Sequence, residues 1–316
     1  MEMLSVLAKL FPVGLAFGAG VGFARRGVIS AEVSKAFSDF SFLFAIPCYL
    51  FGNIYTSDLH TLFVWRALSG YVLSAVASMA VVGLVAYLFG SRQPRGIALR
   101  IMAGIQVNTA YFAVPVFIML FGTATPIFSV LLFQVCVLSS VIILIMELGA
   151  ADPGARPLVR AGRAVWASLT TPMVLACLLG LALNLLAVKV PGTVLDGFSF
   201  VGASASPVAL FALGLHLGGS GLRVRDTPPE ELWLIAFKCV LFPLLTWAVC
   251  YTLFGVRGVW IEYLVLIAAM PTPQNLFIFA QRYEVGVDMS ASLVAKSSVA
   301  ALLLLPLWMQ LVRQGG

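Results

Sequence analysis

Apolar residues in this chain gather into long runs separated by brief polar breaks. Candidate runs lie near 4–24, 36–55, 62–89, 97–121, 125–148, 169–188, 195–218, 232–254, 259–281 and 289–312. A helix needs about 20 largely apolar residues to cross a bilayer, so the pattern predicts ten transmembrane helices. The third run is long enough to include a tilted or interfacial part. Most connections are short; the longest, near 149–168 and 219–231, carry Pro, Gly and charge.

Composition agrees with that pattern. The 316 residues are 61% hydrophobic and 10% charged, against about 45–50% and ~25% for a soluble domain. Formal net charge is +6, but the basic residues are scattered between apolar runs and form no patch for nucleic acid. They sort by side. Loops after odd-numbered spans hold Arg25, Arg26, Arg92, Arg95, Arg156, Arg160, Arg163, Arg223, Arg225 and Arg282, whereas the other loops and the tail hold Lys189, Arg257 and Arg313. The positive-inside rule then places both termini on the outer side of a cell inner (plasma) membrane. Glu2 precedes the first run and Arg25 and Arg26 follow it, the reverse of a signal peptide. Cys48, Cys136, Cys177, Cys239 and Cys250 each sit in an apolar run without a CxxC pair. They read as packing residues, and no metal site or cofactor is expected.

A shift of 160 residues lays Pro12 on Pro172, Gly20 on Gly180, Pro47 on Pro207 and Phe51 on Phe211. Self-similarity at a fixed offset signals a repeat. Five helices per half is odd, so the second half would enter the membrane inverted, a recurring design in secondary transporters. The expected division is a first repeat over 1–150, a cytoplasmic loop over 151–168 and a second repeat over 169–316.

The fourth span of each half is interrupted. NTAYFAVP (108–115) lies in the fourth span and MPTPQN (270–275) in the ninth. Proline lacks an N–H and clashes with the preceding turn, so Pro115 frees the Tyr111 carbonyl, while Pro271 and Pro273 free those of Ile267 and Ala269. An unsatisfied backbone group in hydrocarbon costs several kcal/mol. Such breaks persist where side chains, water or a ligand supply partners, and Asn108, Gln274 and Asn275 are at hand. Half-helix N-termini carry partial positive charge and suit an anion.

NTAYFAVPVFIMLFG and AAMPTPQNLFIFAQRYE resemble the fourth- and ninth-helix segments of the auxin efflux carrier family, a PIN-like, bile-acid-transporter-type fold whose bacterial members are often described as malonate transporters. AIPCYLFGNIYTSDL, TPMVLACLLGLALNLL and ASPVALFALGLHLG extend the resemblance over nearly the whole chain. It implies an all-α integral membrane fold of two inverted five-helix repeats, with broken helices 4 and 9 crossing beside the substrate. Helices 1, 2, 6 and 7 would form a scaffold that often dimerises, and helices 3–5 and 8–10 the moving transport part. Asn108 and Asn275 would contact a small organic anion, with Tyr111 and Gln274 beside them. Pro115, Pro271 and Pro273 would form the crossover, and Gln134 on helix 5 a supporting polar position. Tyr111 and Ala113 stand where relatives often have glycine, and Pro273 where a small residue is usual, which points to a bulkier, stiffer site. Plant members pair an acidic and a basic residue on helix 3; here that span shows only Arg66 near its start.

Charges inside a span default to functional hypotheses. Lys35 and Asp39 read as a pair at a cytoplasmic helix end, Arg100 and Glu147 as helix-end residues, and His216 as interfacial rather than a proton relay. Lys238 and Lys296 either snorkel or supply charge to a cavity; Ser292, Ser297 and Ser298 suggest a wet face beside Lys296. The leading function is an efflux carrier of small organic anions working by elevator-type alternating access. The alternative is a sodium- or proton-coupled symporter, against which stands the lack of an acidic cluster at the breaks. An enzyme is not expected, since HExxH, Walker motifs and a nucleophile suitably spaced from His60 or His216 are absent, and Asp39 and Asp58 lack a partner motif. No signalling domain supports a sensor.

Overall fold

A computed structural model describes residues 2–57, 64–121, 125–150, 157–219 and 227–315. Asp58, His60, Arg156, Arg223 and Arg225 lie outside the described residues, as do the side chains of Lys9, Tyr111, Pro115, Arg160 and Arg313. The described residues are helical and contain no strand.

In chain order the helices are α1 (Glu2–Arg25), α2 (Ala31–Thr56), α3 (Trp65–Gly90), α4 (Pro94–Ile105), α5 (109–121), α6 (125–150) and α7 (Pro157–Leu169). They continue with α8 (Pro172–Leu185), α9 (Gly192–Gly219), α10 (Pro229–Leu253), α11 (Val259–Ala269), α12 (Asn275–Arg282) and α13 (Val287–Gly315). Among the described residues six helices are long and apolar enough to cross a membrane: α2, α3, α6, α9, α10 and α13. Large apolar side chains such as Phe200 (84% exposed) and Leu303 (72%) point outward, where lipid would solvate them at no cost.

Residues 157–169, assigned from sequence to a loop, form α7. Val165 and Trp166 on this helix are exposed, and it packs on the end of α6. The 14 residues of α8 rise only about 21 Å, less than the ~30 Å of a hydrocarbon core; α7 precedes it at Pro172.

Two packing groups emerge. The second half of α9 lies along α1, while the second half of α2 packs on α8 and on the start of α9. Glycine permits the closest approaches. A Cβ on Gly20 would stand 2.3 Å from the Phe211 carbonyl oxygen, and one on Gly180 3.1 Å from that of Phe51. These four residues are the pairs that the 160-residue shift superimposes, so the α1–α9 contact recurs as α8–α2. The second group joins α3 to α4 and α10, α4 to α6, α10 to α11, and α13 to α10, α11 and α12.

Candidate functional site

The chain leaves helical geometry between α4 and α5 at residues 106–108, and between α11 and α12 at residues 270–274. The first interruption therefore lies upstream of Pro115, where the sequence had suggested it. Pro115 is the seventh residue of α5, just after the widened turn Thr109–Ala113, so its missing N–H falls within a helix that runs on through it. The side chains of Tyr111 and Pro115 fall outside the described residues. Pro271 and Pro273 do stand within the second interruption.

The backbone groups freed by both breaks find partners. Asn108 N–H donates to the Pro271 carbonyl at 2.9 Å, tying one break to the other. Val107 N–H donates to Gln134 Oε1 at 2.6 Å, and Thr272 N–H to Ser297 Oγ at 3.2 Å. Gln134 on α6 and Ser297 on α13 stand at nearly the repeat offset and do the same work in the two halves. Thr272 Oγ1 donates to the Ala103 carbonyl at 2.9 Å, and Met270 N–H to that of Ile267 at 3.1 Å. Prolines at 271 and 273 lower the number of donors to be satisfied. This accounting is what burial in an apolar medium demands.

Side chains complete the junction. Asn108 Nδ2 donates to Gln274 Oε1 at 2.5 Å, which turns Gln274 Nε2 the other way. That Nε2 is buried and has no partner among the described residues, in a side chain only 1% exposed. A buried donor left unpaired costs about 1–3 kcal/mol, so an acceptor placed there would be welcome. Gln106 Nε2 donates to Ser139 Oγ at 3.0 Å. Asn275 is half-buried at the first residue of α12. Asn108, Thr109, Gln134, Gln274 and Asn275 line one small cavity of about 50 Å³, closed by Tyr49 and Leu50 of α2 and Met173 of α8. At roughly 10–15 Å³ per water position, that space holds a few waters or one carboxylate group. The N-termini of α5 and α12 both reach its wall, and partial positive charge at such ends favours an anion.

Asn108 and Gln274 also face a second, larger cavity of about 530 Å³, with mostly apolar walls from α1, α5, α9 and α13. Phe11, Leu213, Val294 and Ser298 are among its lining residues. The amide junction is thus a partition between two chambers.

The charged residues behave differently from their sequence reading. Lys238 does not snorkel. It is fully buried, donates to the Ala268 carbonyl at 3.1 Å and lies over the Phe242 ring at 4.7 Å. It sits in a widened π-type turn, Phe237–Leu241, as Gln134 does in Gln134–Ser139; such turns often mark functional positions. A cation at the carboxyl end of α11 opposes the partial negative charge there. Lys296 is also buried, paired with Glu231 at 2.8 Å. Lys35 bonds Glu284 at 3.2 Å rather than pairing with Asp39, and Arg100 binds Glu230 in a bidentate pair. His216 joins Asp288 at 2.9 Å. Just past α12, Tyr283 donates to Glu147 at 3.0 Å; burial, then that carboxylate, push its phenol well above the usual range.

Sequence reasoning overlooked Gln106 and Thr272, and read Ser297 only as part of a wet face beside Lys296, not as an acceptor at the break. The repeat offset would have pointed to Ser297 from Gln134, and Gln106 stands two residues before the Asn108 motif.

The model of the membrane transport protein family matches residues 5–309. The chain belongs to this family, that of the auxin efflux carriers. It is therefore a membrane transporter and not an enzyme. A Methanothermobacter thermautotrophicus (strain Delta H) protein named "Uncharacterized transporter" is 26% identical over 294 residues, 89% of this chain and 90% of that protein. A Rhizobium meliloti (strain 1021) protein named "Putative malonate transporter" is 26% identical over 145 residues, 46% of this chain and 44% of that protein. The match to the Rhizobium protein thus spans less than half of either chain.

Proposed function

We propose that this transporter carries small organic anions of the dicarboxylate class, malonate among them, by alternating access at the junction of the two helix breaks. The observation that carries this reading is Gln274 Nε2, a buried, unpartnered donor beside Asn275 and two half-helix N-termini. An anion brings the acceptor that this donor lacks, and the helix ends favour its charge. The absence of a charged side chain at the junction fits reversible binding, because the attraction is moderate.

On this reading the chain folds as ten spanning helices in two inverted repeats, α4–α5 and α11–α12 being the crossed fourth and ninth. The contact pairs Gly20–Phe211 and Gly180–Phe51 support it, as do the matching roles of Gln134 and Ser297. The small cavity draws on α2, α6 and α8, and the large one on α9, α13 and α1, which are their repeat counterparts. A two-fold axis in the membrane plane would exchange the two chambers, as alternating access from either side requires. The group α3–α6 with α10–α13 moves as an elevator against α1, α2, α8 and α9, and two copies meet through that scaffold. Both termini lie outside the cell on this reading.

Uptake of labelled malonate, other dicarboxylates and indole-3-acetate into proteoliposomes tests the proposal, with Asn275→Ala beside the wild type. Saturable uptake lost in the variant is the expected result. Undiminished uptake by the variant would move the site elsewhere, and no uptake of any of these anions would reject the substrate class.

A further inference from the structure

We infer that Ser34 and Ser38 of α2 are two successive stops for Gln281 of α12, so that the transport group advances along α2 by one helical turn. The inference rests on the carrier reading above and gives its stroke a length and a guide.

Gln281 is the last residue but one of α12, in the group proposed to move, and both serines lie near the start of α2, in the scaffold. Gln281 Nε2 donates to Ser34 Oγ at 3.0 Å. All three side chains are buried, Ser34 at 2% exposure, Ser38 at 1% and Gln281 at 8%. Ser38 stands four residues after Ser34 and so on the same face of α2, the face that α12 packs against. Its Oγ has no hydrogen-bond partner among the described residues. A serine inside a helix can return its hydroxyl to the carbonyl four residues back, as Ser41 does to Phe37 at 3.0 Å. Ser38 makes no such bond. Gln281 Oε1 is buried and unpartnered as well.

An idle hydroxyl in a dry contact costs free energy, and its presence calls for an explanation. A slide of α12 along α2 by four residues, about 6 Å at 1.5 Å per residue, brings it into use. Gln281 Nε2 then meets Ser38 Oγ in place of Ser34 Oγ. One-turn steps of one packed element past another are an established way to pass between two discrete arrangements. Ser41 and Ala45, both fully buried, continue the same face, so α12 has a narrow surface of small residues to pass along.

The rest of the boundary suits such a step. Lys35 of α2 bonds Glu284, just past α12, at 3.2 Å, and His216 of α9 bonds Asp288 of α13 at 2.9 Å. Both pairs cross from the scaffold to the transport group near Gln281 in sequence. In each pair at least one side chain is more than half exposed, so water replaces the partner at small cost when the groups separate. Of these three contacts the Gln281 bond is the one shielded from water, and therefore the one that needs a second acceptor waiting.

The test compares the full-length wild type with Ser34→Ala, Ser38→Ala and the double variant. Unfolding midpoint and malonate affinity are measured in detergent, and malonate exchange in proteoliposomes. In this structure the Ser38 hydroxyl holds nothing, so Ser38→Ala should bind malonate as the wild type does and unfold no earlier. Its exchange should fall about 10-fold, the worth of one hydrogen bond missing at the far stop. Ser34→Ala alone should lower the midpoint little, because Gln281 turns to Ser38, and the double variant should lose more than the two single losses together. Exchange by Ser38→Ala at the wild-type rate overturns the inference. A lowered midpoint or failure to fold in Ser38→Ala overturns it too, since the hydroxyl would then have a structural task, and so do midpoint losses that simply add. All of these leave wild-type exchange, and with it the carrier reading, standing. A wild type that exchanges no malonate rejects the carrier reading, and the stroke with it.

Discussion

Replacing Gln134 with Leu removes the acceptor that holds the Val107 N–H at 2.6 Å. Val107 and Gln134 are 3% and 4% exposed, so water reaches the orphaned N–H poorly. Leaving a buried donor unpaired costs about 1–3 kcal/mol, and Leu matches Gln closely in volume, so little cavity penalty is added. The chain has two ways to respond. If the break at residues 106–108 stays in place, the whole cost appears as a lower unfolding midpoint in detergent. If the break shifts to find another acceptor, the cost falls on binding, because Asn108 is the next residue and carries the junction. At about 1.4 kcal/mol per tenfold, 1–3 kcal/mol is roughly a 5- to 150-fold loss of malonate affinity. Thermal unfolding followed by malonate exchange on the same preparation separates the two, and Gln134→Glu, which keeps an acceptor, should recover part of the loss. If the Leu variant matches the wild type in both midpoint and exchange, the Gln134 contact does not hold the break, and the geometric reasoning fails.

Three other outcomes can be checked. Gln274→Leu removes the unpartnered donor together with the acceptor that holds Asn108 Nδ2, so malonate affinity should fall about 10-fold or more, the worth of a hydrogen bond to a charged group, and the orphaned Asn108 donor should lower the unfolding midpoint as well. Gly214→Ala would place a Cβ 2.2 Å from the Phe17 carbonyl oxygen, so α1 and α9 must separate; a clear drop in the unfolding midpoint is expected, of the size typical of overpacking, about 1–3 kcal/mol. Lys238→Met fills the same buried space but leaves the Ala268 carbonyl without its donor, a loss of about 1–3 kcal/mol, so the unfolding midpoint should fall and exchange should slow as the α11 carboxyl end loses its cap; an unaltered midpoint and exchange would show that the cap is dispensable.

The all-helical, membrane-spanning character was legible in the sequence because lipid enforces it. Long apolar runs can hide only as helices, and Pro271 and Pro273 mark where one of those helices is broken. Asn108, Gln274 and Asn275 stood out as amides beside the breaks and Gln134 through the family resemblance, and all four line the small cavity. What sequence misjudged were partners far along the chain. Lys35 had Asp39 one turn away, yet bonds Glu284 instead. Lys296 was read without a partner from sequence, and only folding brings it to Glu231, 65 positions earlier. Pro115 drew attention as a helix breaker, but three-dimensional support from Gln134 and Pro271 put the interruption seven to nine residues earlier. Ser297 drew notice only as a neighbour of Lys296; its bond to the Val294 carbonyl is ordinary for a serine in a helix, and only folding brings the Thr272 N–H of the second break to it.

The site at the meeting of the breaks is tested most directly by equilibrium binding of labelled malonate to the purified protein, wild type against Asn275→Ala. Saturable wild-type binding, weakened about 10-fold or more in the variant with an unchanged unfolding midpoint, is the expected result. Equal binding by the two proteins would contradict it and place the substrate away from the junction.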